Sequence, residues 1–365
     1  MSNGVSVPEK AADRERWTGT VFSFLSTLFY ATSNVAMRFL TTQQGVDNDW
    51  ILFFKETVGF TVLLPWFILR LCQGRFQFTS KRLILYIIVA AVLCQLIGAR
   101  LHVLGFAVIG LVITVPLVQS STLLGVALTG RFALGNPISR MRKIALTILL
   151  VAISMIAVGK ELAEIQKEKR ESTAVVQQHD KLDVSPGYFL LVAAGTIVAG
   201  LAYAVYITML RQSLRRNWND ENSTWQSFRF RHWVGHDHVK QPDKCFYSPF
   251  PVTLMMSLVL GTGMIVFGTC LFSKHGTAGF FEVPDVAWRC IIVSGIANMV
   301  GFFFQIQGLR MTSAVQASLI AVSQMVLLSL IGWLCFDEAV NALVVFGLVL
   351  TISGVLMSAV PETKR

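Results

Sequence analysis

The stretch LILYIIVAAVLCQLIGARLHVLGFAVIGLVITVPLVQSSTLLGVALT, residues 83–129, decides the fold of this chain. It is apolar nearly throughout, yet far longer than the ~20 residues that one helix needs to cross bilayer hydrocarbon. Its middle, around residues 100–110, contains the charged and glycine positions at which such a run divides. We therefore interpret it as two consecutive membrane-spanning helices. Residues 290–336 have the same character and divide around residues 310–313.

Composition assigns the rest of the chain to the same class. Of the 365 residues, 54% are hydrophobic and 14% are charged, and the mean hydropathy is +0.60, whereas soluble domains carry about 25% charged residues. Lipid-facing backbone must satisfy its own hydrogen bonds, and the alternation of a β-barrel is missing, so helices are predicted. The predicted fold class is all-α integral membrane with ten transmembrane helices, at residues 20–40, 50–72, 83–104, 107–129, 139–159, 187–210, 250–272, 289–309, 313–336 and 340–360.

The distribution of basic residues predicts the orientation. The net charge of +10 is interpreted as the positive-inside bias of membrane proteins rather than as affinity for nucleic acid. With the N-terminus inside, the cytoplasmic connections contain most of the Lys and Arg residues, and the connection at 160–186 is the exception, with mixed charge. We expect a multi-pass protein of an inner or plasma membrane with both termini cytoplasmic.

The two long double spans also predict an internal duplication. An alignment of the halves that places Gly105 on Gly308 has the same order of spans, and Tyr30 matches Tyr203 at the front of each half. A five-span unit crosses the membrane an odd number of times, so its second copy is inverted, which is typical of transporters. A large membrane scaffold built by duplication is the alternative. The predicted segments are a cytoplasmic leader at 1–19, a first five-helix repeat at 20–159, a charged extracytoplasmic linker at 160–186, a second five-helix repeat at 187–360 with a long cytoplasmic loop at 211–249, and a cytoplasmic tail at 361–365.

Three motifs of the second half resemble a known family. Residues 308–314, GLRMTSA, look like a short link between the third and fourth helices of a repeat, and FDE at 336–338 is similar to an acidic stop before a last helix. Gly347, Gly354 and Val355 match a glycine-bearing final helix. Together they resemble the drug/metabolite transporter superfamily, EamA-like branch. The resemblance implies two inverted five-helix repeats and a permease or exporter that moves a small organic metabolite outward by alternating access.

Polar side chains within the predicted spans are the candidates for a solute site, because an unpartnered polar group is costly in hydrocarbon. Helical spacing puts Asn298 and Gln305 on one face, with Phe302 between them. The aromatic neighbours favour an amphipathic organic solute. The alternative for each residue is a hydrogen bond between packed helices. The candidate substrate-binding residues are Tyr30, Asn34, Lys55, Gln119, Ser120, Tyr203, Tyr206, Asn298, Gln305, Gln316, Ser323 and Gln324.

Lys55 and Glu56 are an adjacent charged pair within a predicted span. Successive positions on a helix point about 100° apart, so the two side chains are expected not to face each other. Lys55 either snorkels to the outer boundary or meets an anionic group of the substrate. Glu56 is the candidate for ion coupling, through a proton.

No catalytic, metal or cofactor site is predicted. The chain has no G-x-x-x-x-G-K-[ST] loop for ATP-driven transport. His232, His236 and His238 match no strong zinc pattern, and no Ser/His or Cys/His constellation is arranged for catalysis, so we expect no enzyme. The expected partners are a small-molecule solute and membrane lipid, without nucleic acid; proton coupling and a homodimer stay open.

Two other functions stay open as alternatives. A sugar-phosphate or nucleotide-sugar exchanger would need several basic side chains in its cavity, and only Lys55 qualifies clearly. A non-transporting membrane receptor or assembly factor would dock through the loop at 211–249.

Overall fold

The computed structural model describes residues 7–72, 81–134, 140–171, 186–215, 249–276, 283–312, 314–336, 338 and 340–359. Within these ranges the regular structure is helical, and each of the ten predicted spans is present as a helix. Most of the predicted 211–249 loop with its histidines, half of the 160–186 linker, the first residues of the leader and the tail lie outside the described residues. The helices are α1 (Val7–Thr42), α2 (Asn48–Cys72), α3 (Lys81–Leu93), α4 (Arg100–Ile109), α5 (Leu111–Leu134), α6 (Arg140–Glu171), α7 (Pro186–Arg215), α8 (Pro249–His275), α9 (Asp285–Met311), α10 (Ala314–Ala321), α11 (Ser323–Phe336) and α12 (Ala342–Ala359).

Two of the ten crossings are made of broken helices. A π-helical turn, Cys94–Ala99, joins α3 to α4 within the third crossing, and Val322 separates α10 from α11 within the ninth. The predicted division of residues 83–129 is confirmed and falls at Gly110, whose φ of 82° is readily adopted only by glycine. Irregular backbone at membrane depth occurs where it borders a cavity or is covered by protein.

Helix α6 continues past the predicted end of its span at 159 into the charged connection and ends at Glu171. The residues concerned, KELAEIQKEKRE, are good helix formers. In the sequence, Lys160 lies four positions before Glu164 and Lys167 four positions before Glu171, a spacing of opposite charges that favours a helix. Charge in this connection therefore lengthens the helix beyond the apolar run.

Hydropathy and burial describe a protein with an apolar exterior. Seven helical segments are long and apolar enough to cross a membrane, judged by length and composition. The apolar parts of α6 and α12 are shorter, Lys143–Ile156 and Ala342–Gly354. Helix α1 falls short because it buries a polar face that includes Ser26, Thr27 and Asn34. Large apolar side chains point outward, as lipid-facing residues do. These findings assign the chain to the multi-pass integral membrane proteins.

The helices pack in pairs around a central space. Helix α1 packs on α9, α7 on the α3–α4 crossing, α2 on α8, and α6 on α12. Helix α5 contacts α7 and also α10 and α11, while α1 contacts α10 and α11 from the other side. The glycines of the last helix allow close approach, because Gly347 lies against Ile156 and Gly354 against Leu149. The α6–α12 pair therefore stands beside the central space, and the other helices surround it.

Candidate functional site

A cavity of about 160 Å³ lies at the centre of the bundle. Its lining comes from both halves of the chain, including the π-helical turn of the third crossing and the break in the ninth. π-turns and broken membrane helices are frequent at functional sites. Ten of the residues predicted from helical spacing line it together: Tyr30, Asn34, Lys55, Glu56, Gln119, Tyr203, Tyr206, Asn298, Gln305 and Gln324.

The other three predicted residues do not line the cavity. The hydroxyls of Ser120 and Ser323 donate to backbone carbonyls three residues earlier in the chain, at 2.9 and 2.7 Å. The amide of Gln316 donates to Thr20 Oγ1 at 3.3 Å, between α10 and α1. These residues follow the alternative interpretation, in which polar groups bond within and between packed helices.

Two tyrosines make polar contacts across the two halves. The hydroxyl of Tyr30 on α1 donates to Gln305 Oε1 on α9 at 2.9 Å. The hydroxyl of Tyr203 on α7 lies 3.4 Å from His102 Nδ1 on α4. Tyr30 and His102 belong to the first half of the chain, and Gln305 and Tyr203 belong to the second half. Each contact therefore joins the two halves.

Sequence reasoning missed Gln95 and His102, which both line the cavity. They lie seven residues apart in the sequence, the same spacing as Asn298 and Gln305. An alignment that places Gly105 on Gly308 also places Gln95 on Asn298 and His102 on Gln305. The repeat that predicted the fold therefore contained the signal for both residues.

A third contact between the halves joins two glutamines. Gln119 on α5 donates its amide to Gln324 Oε1 on α11 at 3.1 Å. Gln324 follows the break at Val322, where the chain leaves α10 and begins α11 again. This places a side-chain amide of a broken helix in the cavity wall.

Lys55 and Glu56 form a buried ion pair, and the expectation that their side chains do not face each other is wrong. Lys55 Nζ lies 3.1 Å from Glu56 Oε1, and the two side chains are only 8% and 2% exposed. The flexible four-carbon stem of lysine reaches back to the neighbouring carboxylate. Burial at this depth also excludes the snorkelling interpretation. Gly263 makes room for the pair, because a side chain there would meet Glu56 Cγ and the Gln95 amide.

One end of the bundle is held by the carboxylate of Glu338. Its two oxygens accept the backbone N–H groups of Leu111 and Val112, at 3.0 and 2.9 Å, which begin α5. Arg38 Nη2, near the end of α1, lies 3.6 Å from Glu338 Oε1, and Arg38 also donates to the carbonyl of Phe106. We call this side of the bundle the Glu338 end. Glu338 belongs to the motif that the sequence marks as an acidic stop before the last helix, and in the structure it caps the start of α5.

A second charged cluster lies at the same end. Asp49, at the start of α2, accepts Arg100 Nε and Nη2 at 3.0 and 2.8 Å and also pairs with Lys274 at the end of α8. Its side chain is 1% exposed. One carboxylate therefore holds α2, α4 and α8 together.

Replacing Asp49 with asparagine is expected to lower the free energy of unfolding by about 1.5–3 kcal/mol, the range for hydrogen bonds to charged groups. The amide keeps the shape of the side chain and loses the charge that two cations share. Thermal unfolding of the purified protein in detergent measures the change. Asp285→Asn, at an exposed carboxylate in the first turn of α9, is the control. Equal shifts for the two variants would contradict the role of this cluster.

The described residues contain no group of three or more His, Cys, Asp or Glu that could hold a metal ion. The polar part of the cavity wall consists mainly of amides, hydroxyls, a histidine and one ion pair, and aliphatic and aromatic side chains form the rest.

A helical membrane bundle with a polar central cavity between two sets of crossings is the architecture of a solute carrier. The family model of the EamA-like transporter family matches residues 244–360. This match confirms the resemblance to the EamA-like branch of the drug/metabolite transporter superfamily that the motifs of this part of the chain predicted. The members of this family are transporters and not enzymes.

A protein of known crystal structure has the same fold. It aligns over 93% of this chain and 97% of its own length with a TM-score of 0.58, at 12% sequence identity. No curated protein sequence matches the chain. The structural likeness at this identity concerns the fold alone.

Proposed function

We propose that the chain is a secondary transporter that moves a small organic solute across a membrane by alternating access, with the central cavity as its solute site. The family match of residues 244–360 supports the transporter class. The single observation that carries the proposal is the set of polar contacts that join the two halves across one cavity: Tyr30 with Gln305, Tyr203 with His102, and Gln119 with Gln324.

The packing of the helices supports two inverted five-helix repeats. Counting the broken helices as one crossing each, the larger contacts keep a counterpart when a crossing is exchanged for the one five places away. The contact of α1 with α9 corresponds to that of α7 with α3–α4, and the contact of α5 with α7 corresponds to that of α10–α11 with α1. The pairs α2–α8 and α6–α12 correspond to themselves. Two halves related in this way can exchange conformations around a fixed site.

The position of the cavity favours one access state. Its lining extends from Tyr30 towards Ser23, Leu309 and Ala317, which lie two turns before Tyr30 on α1, near the end of α9 and near the start of α10. The opposite, Glu338 end is held by the Glu338 and Asp49 clusters. We infer that the Glu338 end is the closed gate in this conformation, and that transport requires these ion pairs to separate.

An exchanger of sugar phosphates or nucleotide sugars is less well supported. Lys55 is the one Lys or Arg among the residues that line the cavity, and Glu56 already pairs with it. A phosphate would enter without a free cation to bind it. A role as a receptor or assembly factor would rest on the 211–249 loop, and solute flux that survives deletion of that loop would argue against it.

We expect the purified protein in proteoliposomes to move at least one small organic solute from a broad panel, and Gln305→Leu to reduce the flux by about tenfold or more. The leucine keeps the approximate size of the side chain and removes the acceptor of the Tyr30 hydroxyl. A lost polar contact of about 1.4 kcal/mol corresponds to tenfold. Gln316→Leu, at an amide that does not line the cavity, is the matched control. Absence of flux for every solute tested would overturn the transport proposal.

Glu56 is proposed as the coupling residue. It is a buried carboxylate in the lining of the cavity, and intramembrane carboxylates in transporters commonly belong to proton relays. Coupling through Glu56 requires that its carboxyl group can bind a proton in the cavity although the Lys55 ammonium group lies beside it. The Glu56→Gln variant, described below with its partner residue, tests the assignment.

A further inference from the structure

Carboxamide groups form a large part of the polar lining of the cavity. An amide side chain offers a donor and an acceptor side by side without charge. Pairs of this kind recognise the edges of nucleobases through two parallel hydrogen bonds. Six such groups line the cavity: Asn34, Gln95, Gln119, Asn298, Gln305 and Gln324.

The charges of the wall cancel within it. Among the described residues that line the cavity, Lys55 and Glu56 are the only ones of the types Lys, Arg, Asp and Glu, and Lys55 Nζ lies 3.1 Å from Glu56 Oε1. A charged solute would have to compete for one member of this buried pair and leave the other uncompensated, which is costly. An uncharged solute avoids this cost, so the wall favours cargo without net charge.

Several buried polar atoms of the wall have no hydrogen-bond partner among the described residues. Glu56 Oε2, Gln324 Nε2 and Ser318 Oγ belong to side chains of residues that are 2%, 2% and 4% exposed, and all three residues line the cavity. Buried polar atoms in native proteins nearly always have a partner. An ionised carboxylate oxygen only accepts, and an amide nitrogen only donates. The matching solute therefore carries both a donor and an acceptor on its rim.

Aromatic rings complete the wall and indicate a flat solute. Tyr206 and Phe302 have ring centroids 6.4 Å apart at 36°, and both line the cavity, as do Tyr30, Tyr203 and His102. Stacking of a base on an aromatic side chain contributes about 1–3 kcal/mol. A cavity of about 160 Å³ lies below the range of about 300–1,000 Å³ for drug-sized ligands. These properties suit a single heterocycle and not a nucleotide.

We propose that this cavity binds an uncharged planar heterocycle of the nucleobase type, with an N–H donor at Glu56 Oε2 and a carbonyl acceptor at Gln324 Nε2. The inference rests on the proposed transport function and names its class of cargo. Glu56 belongs to α2 in the first half and Gln324 to α11 in the second half. The solute would thus connect the two halves through its two edges. On α8, the helix of the second half that packs on α2, the cavity-lining residues Val259 and Leu260 are apolar, so the donor edge of the solute has one preferred direction.

Three closely related rings test the class with the unaltered protein. Uracil is planar and uncharged, dihydrouracil keeps the same donors and acceptors without the aromatic ring, and orotate adds a carboxylate to uracil. We expect uracil to raise the thermal unfolding temperature in a saturable way and the other two to bind at least about tenfold more weakly, corresponding to the loss of stacking or of charge matching. Orotate binding as well as uracil would overturn the claim of an uncharged cargo. Dihydrouracil binding as well as uracil would overturn the claim of a planar one.

A pair of amide variants tests the position of the ring. Gln324→Leu is expected to raise the half-saturating concentration of uracil by about tenfold or more, whereas Gln316→Leu, which replaces an amide that does not line the cavity, should leave it within about twofold. Equal effects of the two variants would overturn the assignment of Gln324.

If uracil, cytosine and adenine all fail to stabilise the protein while another solute is transported in proteoliposomes, the nucleobase class is wrong and the transporter proposal stands. If no solute is transported at all, the proposed function itself fails.

Discussion

Glu338→Ala is expected to destabilise the protein by about 2–6 kcal/mol, taking about 1–3 kcal/mol for each of two buried N–H groups that lose their acceptor. Leu111 and Val112 begin α5 and are fully buried, and their N–H groups donate to the two carboxylate oxygens. The first N–H groups of a helix have no partner within it. Inside a membrane bundle, water is a poor substitute for the lost carboxylate.

Glu338 also provides negative charge where two positive features meet. The start of α5 is the positive end of a helix dipole, and Arg38 Nη2 lies 3.6 Å from Glu338 Oε1. Glu338→Gln is therefore expected to fall between the wild type and Glu338→Ala. Its amide oxygen can accept one N–H group, while its NH₂ group opposes the second N–H and the guanidinium.

Thermal unfolding in detergent distinguishes this role from a general effect of removing an acidic residue. Asp285→Ala is the matched control, because Asp285 is an exposed carboxylate in the first turn of α9. Exposed charges at helix ends contribute about 0.3–1 kcal/mol. Comparable losses for Glu338→Ala and Asp285→Ala would contradict the capping role.

Lys55→Met is expected to destabilise the protein by about 3–5 kcal/mol, the usual cost of removing one partner from a buried ion pair. Glu56 would then be buried without its cation, since its side chain is 2% exposed and only one of its oxygens is paired, by Lys55. Methionine fills a similar volume, so the loss reflects charge rather than a cavity. The measurement is again the unfolding temperature of the purified protein.

The double variant Lys55→Met with Glu56→Met separates stability from function. Replacing both charges with apolar groups of similar size is often neutral or stabilising, so the double variant is expected to recover most of the loss. It should still lack proton-dependent solute flux, because the carboxylate is missing. Glu56→Gln alone should keep flux down a solute gradient and lose its dependence on a proton gradient. A double variant as unstable as Lys55→Met, or Glu56→Gln flux that still follows the proton gradient, would contradict these assignments.

The site was predictable where one helix supplies two residues. Asn298 and Gln305 lie on one face by helical periodicity alone, and the structure places both in the cavity wall. The same rule applied to Gln95 and His102 would have found them. It was not enough for Ser120 and Ser323, whose hydroxyls bond to carbonyls of their own helices. A short hydroxyl side chain can donate a hydrogen bond to a backbone carbonyl of its own helix, and helical spacing does not predict whether it does so.

Contacts that depend on side-chain conformation or on distant segments of the chain could not be derived from spacing. The Lys55–Glu56 pair was unexpected because ideal helix geometry separates neighbouring Cβ directions, while the lysine stem is long enough to bend back. The role of Glu338 was also hidden. Its motif marks the approach to the last helix, but its oxygens bind the start of α5.

Residues 83–129 by themselves determined that the chain lies in a membrane and that this stretch contains two crossings. Apolar length and the glycine at position 110 are local properties, and hydrocarbon leaves the backbone few choices other than the helix. Only the tertiary structure decided which polar faces meet, because the rotation and pairing of each helix depend on close contacts across the bundle. Those contacts turn scattered amides, tyrosines and one ion pair into a single cavity, and an acidic motif into the cap of a distant helix.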